Sequence, residues 1–154
     1  MDKCTLCANI VGYGDTLTLP QFSDALVRLR AVNLRPTRQR VALAQLLFEP
    51  GYHHVTAELL FEQAQAAGVK VSLATVYNTL HQFTNAGLLR EVVVDSACTY
   101  FDTNVTDHHH FFFEDRGGLV DIDGANVDIR GLPAVPDGAR ISRVDVIIRL
   151  SRQG

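Results

Sequence analysis

Residues 71–88, VSLATVYNTLHQFTNAGL, constrain the fold more than any other stretch of the chain. Leu73, Val76, Tyr77, Leu80 and Phe83 recur at i, i+3, i+4, i+7 and i+10, the apolar stripe of a helix that lies on a core. Ser72 stands where an N-cap belongs, and Gly87 where a left-handed C-cap belongs. The other face carries Ser72, Thr75, Asn78, Thr79 and Gln82. A face turned only to water more often carries Glu and Lys. Hydroxyls and amides both donate and accept, which suits phosphate oxygens and base edges. The same pattern also fits a plain amphipathic helix, so the neighbouring segments have to decide between the two.

The chain has 154 residues, enough for one ordinary domain or two small ones. Its net charge of −3 is not that of a nonspecific nucleic-acid binder. The charge is uneven, however. Residues 20–48 hold Arg28, Arg30, Arg35, Arg38 and Arg40 against one acid in their first helix, Asp24, and a local basic patch of this kind fits specific DNA binding. No apolar run approaches the roughly 18 residues that a membrane span needs. The N-terminus shows no basic region followed by an apolar segment, so no secretory signal is expected. Three cysteines, an odd number, argue against a disulfide framework and fit a reducing cytoplasm.

Taken in order, residues 1–19 read as a flexible arm with Cys4 and Cys7 in a single CxxC, which lacks the second pair a four-ligand zinc site needs. Pro20 fits the first turn of a helix to Val32, with Phe22, Ala25, Leu26, Leu29 and Val32 as its stripe. LRPTRQR (34–40) is a basic connector, with Thr37 as N-cap of a second helix that carries Val41, Ala44, Leu47 and Phe48. Pro50 and Gly51 stop that helix, and Tyr52, His53 and His54 fall in a loop. Thr56 caps a third helix with Ala57, Leu60, Phe61, Ala64 and Ala67 inward, and the 71–88 helix follows. Leu88–Val94 and Cys98–Asp102 then read as a hairpin around Asp95-Ser96-Ala97. Three short helices before a two-stranded wing make a winged helix-turn-helix, whose last helix enters the major groove. The domains expected are an arm at 1–19, a winged-helix DNA-binding domain at 20–102, a hinge at 103–107 and a dimerisation and effector-sensing domain at 108–154. In the last of these, His108–Glu114, Leu119–Ile122 and Arg140–Leu150 read as strands, too few to cover both faces without a twofold partner. The fold class is α+β: the winged-helix domain followed by a small C-terminal α/β dimerisation domain.

Three segments, LRPTRQR (34–40), HHVTAE (53–58) and SLATVYNTL (72–80), resemble the ferric uptake regulator family of metal-responsive bacterial transcription regulators. The resemblance covers roughly residues 20–150. Within the family, YFDTNVT (100–106) leading into His108-His109-His110 is most similar to the iron response regulators of alphaproteobacteria. The resemblance implies a cytoplasmic homodimer on a double-stranded DNA operator. It implies Arg35 in a minor groove and Ser72, Thr75, Tyr77 and Asn78 facing the major groove, with Arg38 and Arg40 from the basic patch beside them. Tyr77 also belongs to the apolar stripe, and a place at the stripe's edge serves both roles. Many relatives hold a structural zinc with C-terminal CxxC pairs. This C-terminal half has no cysteine, so no structural Cys4 zinc is expected. Many relatives carry a further histidine where this chain has Phe112, and Cys4 is followed by Thr5 where some iron response regulators have a Cys-Pro heme motif.

Alternation along a strand puts His108, His110 and Phe112 on one face and His109 and Phe111 on the other. Two imidazoles at i and i+2 can hold a metal, and one can ligate heme iron beside the apolar surface of Phe111–Phe113. His108, His109 and His110 are the heme candidates. His54, Asp102, His108, His110 and Asp121 are the candidates for a divalent ion, Fe, Mn or Zn. Ligands from both domains would couple domain orientation to occupancy. The function expected is a sequence-specific DNA-binding transcription regulator of iron-homeostasis and heme-metabolism genes, its DNA affinity controlled by heme or a divalent metal. The alternative is a direct zinc, manganese or ferrous iron sensor that binds no heme. A metalloenzyme with a His-His-carboxylate site is a third reading, but no nucleophile–base pair supports it and it leaves the winged-helix half unexplained.

Overall fold

The computed structural model describes residues 21–51, 53–95 and 98–152; the N-terminal arm with Cys4 and Cys7, Pro20, the side chain of Phe22, and Ser96 and Ala97 of the expected turn lie outside the described residues. Two compact units divide the chain between Val105 and Thr106.

The N-terminal unit runs α1 (Gln21–Ala31), α2 (Arg38–Phe48), β1 (His54–Val55), α3 (Ala57–Ala66), α4 (Leu73–Asn85), β2 (Arg90–Asp95) and β3 (Cys98–Asp102). Three helices start on a hydroxyl that accepts the third backbone N–H of its own helix: Thr37 from Arg40, Thr56 from Leu59 and Ser72 from Thr75, at 3.1–3.2 Å. α4 ends as expected, with Gly87 at φ 76° and the Leu88 N–H donating back to the Phe83 carbonyl at 2.9 Å. Leu29, Leu43, Leu47, Leu60, Val76, Leu80, Phe83 and Phe101 fill the core and lock the four helices onto the sheet. That sheet has the order β1-β3-β2, all antiparallel.

Two details differ from the expected pattern. In α4 the buried residues are Val76, Thr79, Leu80 and Phe83, while Leu73 and Tyr77 are each 36% exposed. At about 100° per residue the core direction passes between Val76 and Phe83; Thr79 lies about 50° from that direction and Tyr77 about 110°. Thr79 therefore leaves the polar face and Tyr77 joins its border. Ala67 is likewise exposed, because α3 already ends at Ala66. The second difference is β1. His54 and Val55 form a two-residue strand on β3, with His54 opposite Asp102 and Val55 opposite Phe101.

The C-terminal unit holds β4 (His108–Phe113), β5 (Leu119–Asp123), a short 3-10 turn at Gly124–Asn126 and β6 (Ile147–Leu150), in the order β5-β4-β6. β5 is antiparallel to β4 and β6 parallel to it. Residues 140–146 are not in the sheet. In parallel register Ile147 meets His110, so Asp145 is level with the first residue of β4, and the chain before it finds no ladder partner among the described residues. The registers give the sheet two faces. One carries His108, His110, Phe112, Leu119, Asp121 and Ile147; the other carries Phe111 in line with Val120 and Ile148.

Candidate metal centre and nucleic-acid interface

α3, the turn after it and α4 form a helix-turn-helix with β2 and β3 as the adjacent wing. α4 presents Ser72, Thr75, Tyr77, Asn78 and Gln82 on its outer side, Thr75 half-buried and the others exposed. Several of these groups are already engaged. The Ser72 and Thr75 hydroxyls lie 2.9 Å apart, and Tyr77 donates to Glu58 Oε1 at 2.5 Å. Arg35 and Arg38 are exposed on the connector and the first residue of α2. Arg40 differs from them. Its guanidinium turns inward, donating to the Arg35 carbonyl and, at 2.5 Å, to Gln82 Oε1 on α4. Gln39 on the same turn of α2 donates to the Lys70 carbonyl at 2.8 Å. His81 stacks beside Tyr77 and sets its ring edge-on to Phe101. Glu58, Gln39 and Gln82 were not singled out in the sequence as supports of this surface, since nothing local marks a side chain that bonds across the fold.

The candidate ligands fall into one group in each unit. In the N-terminal unit the β1–β3 pairing sets His54 Nε2 3.7 Å from Asp102 Oδ2. Asp102 is fully buried, accepts the Asn104 N–H at 2.7 Å and stands opposite buried Arg90 in the β2–β3 ladder. A buried carboxylate without such neighbours would be costly.

In the C-terminal unit His108, His110 and Asp121 project from one sheet face, and one donor atom of each lies within 4.8 Å of the others. The two Nε2 atoms are 3.0 Å apart, and Asp121 Oδ1 is 3.5 Å from the first and 3.8 Å from the second. His108 Nδ1 is 2.8 Å from the Thr106 carbonyl, which can only accept, so Nδ1 carries a proton and Nε2 is the nitrogen that a metal would take. Nitrogen and oxygen ligands each about 2.0–2.2 Å from one ion sit about 3–3.5 Å apart; two of the three separations lie in that range and the third, 3.8 Å, is slightly longer, so a small closure brings this donor set onto a divalent cation. The three histidines do not form one set. His109 is on the opposite face, where its Nδ1 accepts the Val146 N–H at 3.4 Å. Phe112 is buried in register with Leu119 and serves as core. Cys98 is half-buried on β3.

Residues 31–146 match the ferric uptake regulator family, about three quarters of the chain. The chain belongs to this family. It shares 31% identity over 123 residues with the peroxide operon regulator of Bacillus subtilis (strain 168), covering 79% of this chain and 84% of that protein. It shares 30% over 123 residues with the ferric uptake regulation protein of Shigella flexneri, covering 79% and 83%. Among solved structures, the manganese-containing ferric uptake regulator of Pseudomonas aeruginosa superposes with a TM-score of 0.66 at 25% identity, covering 84% of this chain and 98% of that one. Members of the family are dimeric, metal-responsive transcription regulators and not enzymes, so this family member is a metal-responsive transcription regulator. Among the described residues no helix is long and apolar enough to cross a membrane.

Proposed function

We propose that the chain is a homodimeric, sequence-specific DNA-binding repressor whose DNA affinity is set by a divalent metal ion, with iron-homeostasis genes among its targets. The observation that carries this reading is the convergence of His108 Nε2, His110 Nε2 and Asp121 Oδ1 on one sheet face, the two histidines buried and the aspartate at the surface. His54 and Asp102 are the remaining ligands in this proposal. When bound, the ion supplies positive charge that holds carboxylates and neutral imidazoles in one cluster. His54 and Asp102 belong to the DNA-binding unit and the other three to the C-terminal unit. A single ion shared by both fixes how the α4 helices of a dimer are presented to successive major grooves. The relatives named for ferric uptake, and the manganese in the Pseudomonas aeruginosa structure, favour iron and manganese as ligands.

Support for the dimer comes from the row Val120–Phe111–Ile148, in which Val120 is 48% and Ile148 37% exposed in the single chain. A partner's sheet is the natural cover for such a row. Heme control would need one imidazole of His108, His109 or His110 free to meet an iron beside the apolar surface of Phe111–Phe113. The facing Nε2 atoms of His108 and His110 favour the metal reading, because a 3.0 Å gap admits an ion and not a porphyrin plane. The test is a pair of titrations of the full-length protein with Mn2+ and with hemin, reading operator affinity and the Soret band. Metal-dependent DNA binding with no hemin-induced Soret shift is expected. A Soret shift with hemin-dependent DNA release would replace the metal reading by the heme reading.

A further inference from the structure

We propose that Arg40 is a positioning residue that clamps the basic connector to α4, and that it does not contact DNA; this rests on the DNA-binding reading above. Arg40 lies 42 residues before Gln82, yet its Nη2 donates to Gln82 Oε1 at 2.5 Å while its Nη1 donates to the backbone carbonyl of Arg35. The guanidinium therefore joins the two parts of the surface that would meet different grooves: the connector bearing Arg35 and Arg38, and the helix bearing Tyr77 and Asn78. Neighbouring Gln39 ties the same turn of α2 to the Lys70 carbonyl at 2.8 Å, in the turn that leads into α4. The first turn of α2 thus fixes the approach to α4 and its C-terminal half together. Arg40 Nε is buried and has no hydrogen-bond partner among the described residues, so the two terminal nitrogens carry all the directed bonds.

Only a planar fork spans two acceptors in this way. An ammonium gathers its three donors on one nitrogen at the end of a flexible stem and does not hold two acceptors at the spacing of two guanidinium nitrogens. Arginine at this position is then required for its shape, and charge alone does not substitute. A phosphate contact predicts the reverse, because Lys also binds phosphate as a point charge.

The experiment uses the full-length, Mn2+-loaded protein and a duplex selected from a random pool by the wild type, with a scrambled duplex as control. Arg40→Lys, Gln82→Leu and the double variant are compared with Arg35→Ala at several salt concentrations. The clamp predicts that Arg40→Lys and Gln82→Leu each weaken the selected duplex about tenfold, and that the double variant is no worse than either, since residues joined by one contact are non-additive. It also predicts that scrambled-duplex binding and the salt slope stay at wild-type values for both, while Arg35→Ala lowers the slope by about one phosphate equivalent. Thermal unfolding of Gln82→Leu, a change at an exposed position, checks that the protein is folded. Wild-type affinity in Arg40→Lys or in Gln82→Leu, with Arg35→Ala still impaired, overturns the clamp and leaves DNA binding standing. If the wild type selects no duplex, the DNA-binding reading fails and the clamp fails with it.

Discussion

The Tyr77 hydroxyl donates to the Glu58 carboxylate at 2.5 Å, joining the outer border of α4 to the first turn of α3. This bond accounts for the two aspects of Tyr77. The ring lies at the margin of the apolar stripe, about a third exposed, and its polar end is held at the surface by Glu58. A tyrosine fixed in this way is presented to a ligand at little further cost in side-chain entropy.

Tyr77→Phe should therefore lower stability by only about 0.5–1 kcal/mol, the net worth of an exposed hydrogen bond. Urea unfolding should show a lower midpoint with an unchanged slope. A loss above about 3 kcal/mol would place the ring in the core and not at its edge.

Ser72→Ala and Asn78→Ala should separate scaffold from recognition on the same helix. Ser72 caps α4 through the Thr75 N–H at 3.1 Å, so its loss should cost about 1 kcal/mol of stability. Asn78 is exposed, and no cap or core contact is lost with it. Its replacement should leave the midpoint unchanged and relax base preference by about 1–3 kcal/mol at one position, read from competition between duplexes. Equal stability loss in both variants would refute this division of labour.

The caps at Thr37, Thr56 and Ser72 were legible because capping is local: a hydroxyl and the backbone N–H three residues on decide it. The phase of α4 was only partly legible, since a stripe drawn through five apolar residues leaves the core direction uncertain by a large angle. Thr79, which the sequence placed outward, is buried as a result. β1 was missed altogether, because two residues show no period and their pairing partner lies some 48 positions away. The five candidate ligands were named from residue type and a likeness to a family, and their role as ligands is a proposal. The support given to His108 by the Thr106 carbonyl was not foreseen, since no pattern marks a backbone acceptor.

His109 should behave differently from its neighbours. His108→Ala and His110→Ala are expected to abolish Mn2+ binding measured by calorimetry, and a chelator should release wild-type protein from DNA. His109→Ala should retain Mn2+ affinity within about threefold, because its ring is on the other sheet face and serves the Val146 N–H. Complete loss of Mn2+ binding in His109→Ala would contradict the two-face assignment.

Ile148→Asp tests the assembly. The residue is 37% exposed in the single protomer and aligned with Phe111 and Val120. A carboxylate there should be tolerated by the isolated fold and rejected by a partner sheet, where it would be buried unpaired. Light scattering at micromolar concentration should report monomers for the variant and dimers for the wild type. A dimeric variant would move the interface elsewhere.

The chain from Asp102, the last residue of β3, to His108, the first of β4, passes through residues 103–107 only. Such a tether reaches at most about 20 Å even when fully extended. The two groups of proposed ligands can therefore never dilute away from each other. If one ion is shared as proposed, the group that captures it first would present it to the other at an effective concentration in the millimolar range or above, as linked binding modules do. Tether length then becomes an affinity setting in its own right. Gly-Ser residues inserted after Val105 should raise the dissociation constant for the ion step by step with length, with every ligand side chain left in place.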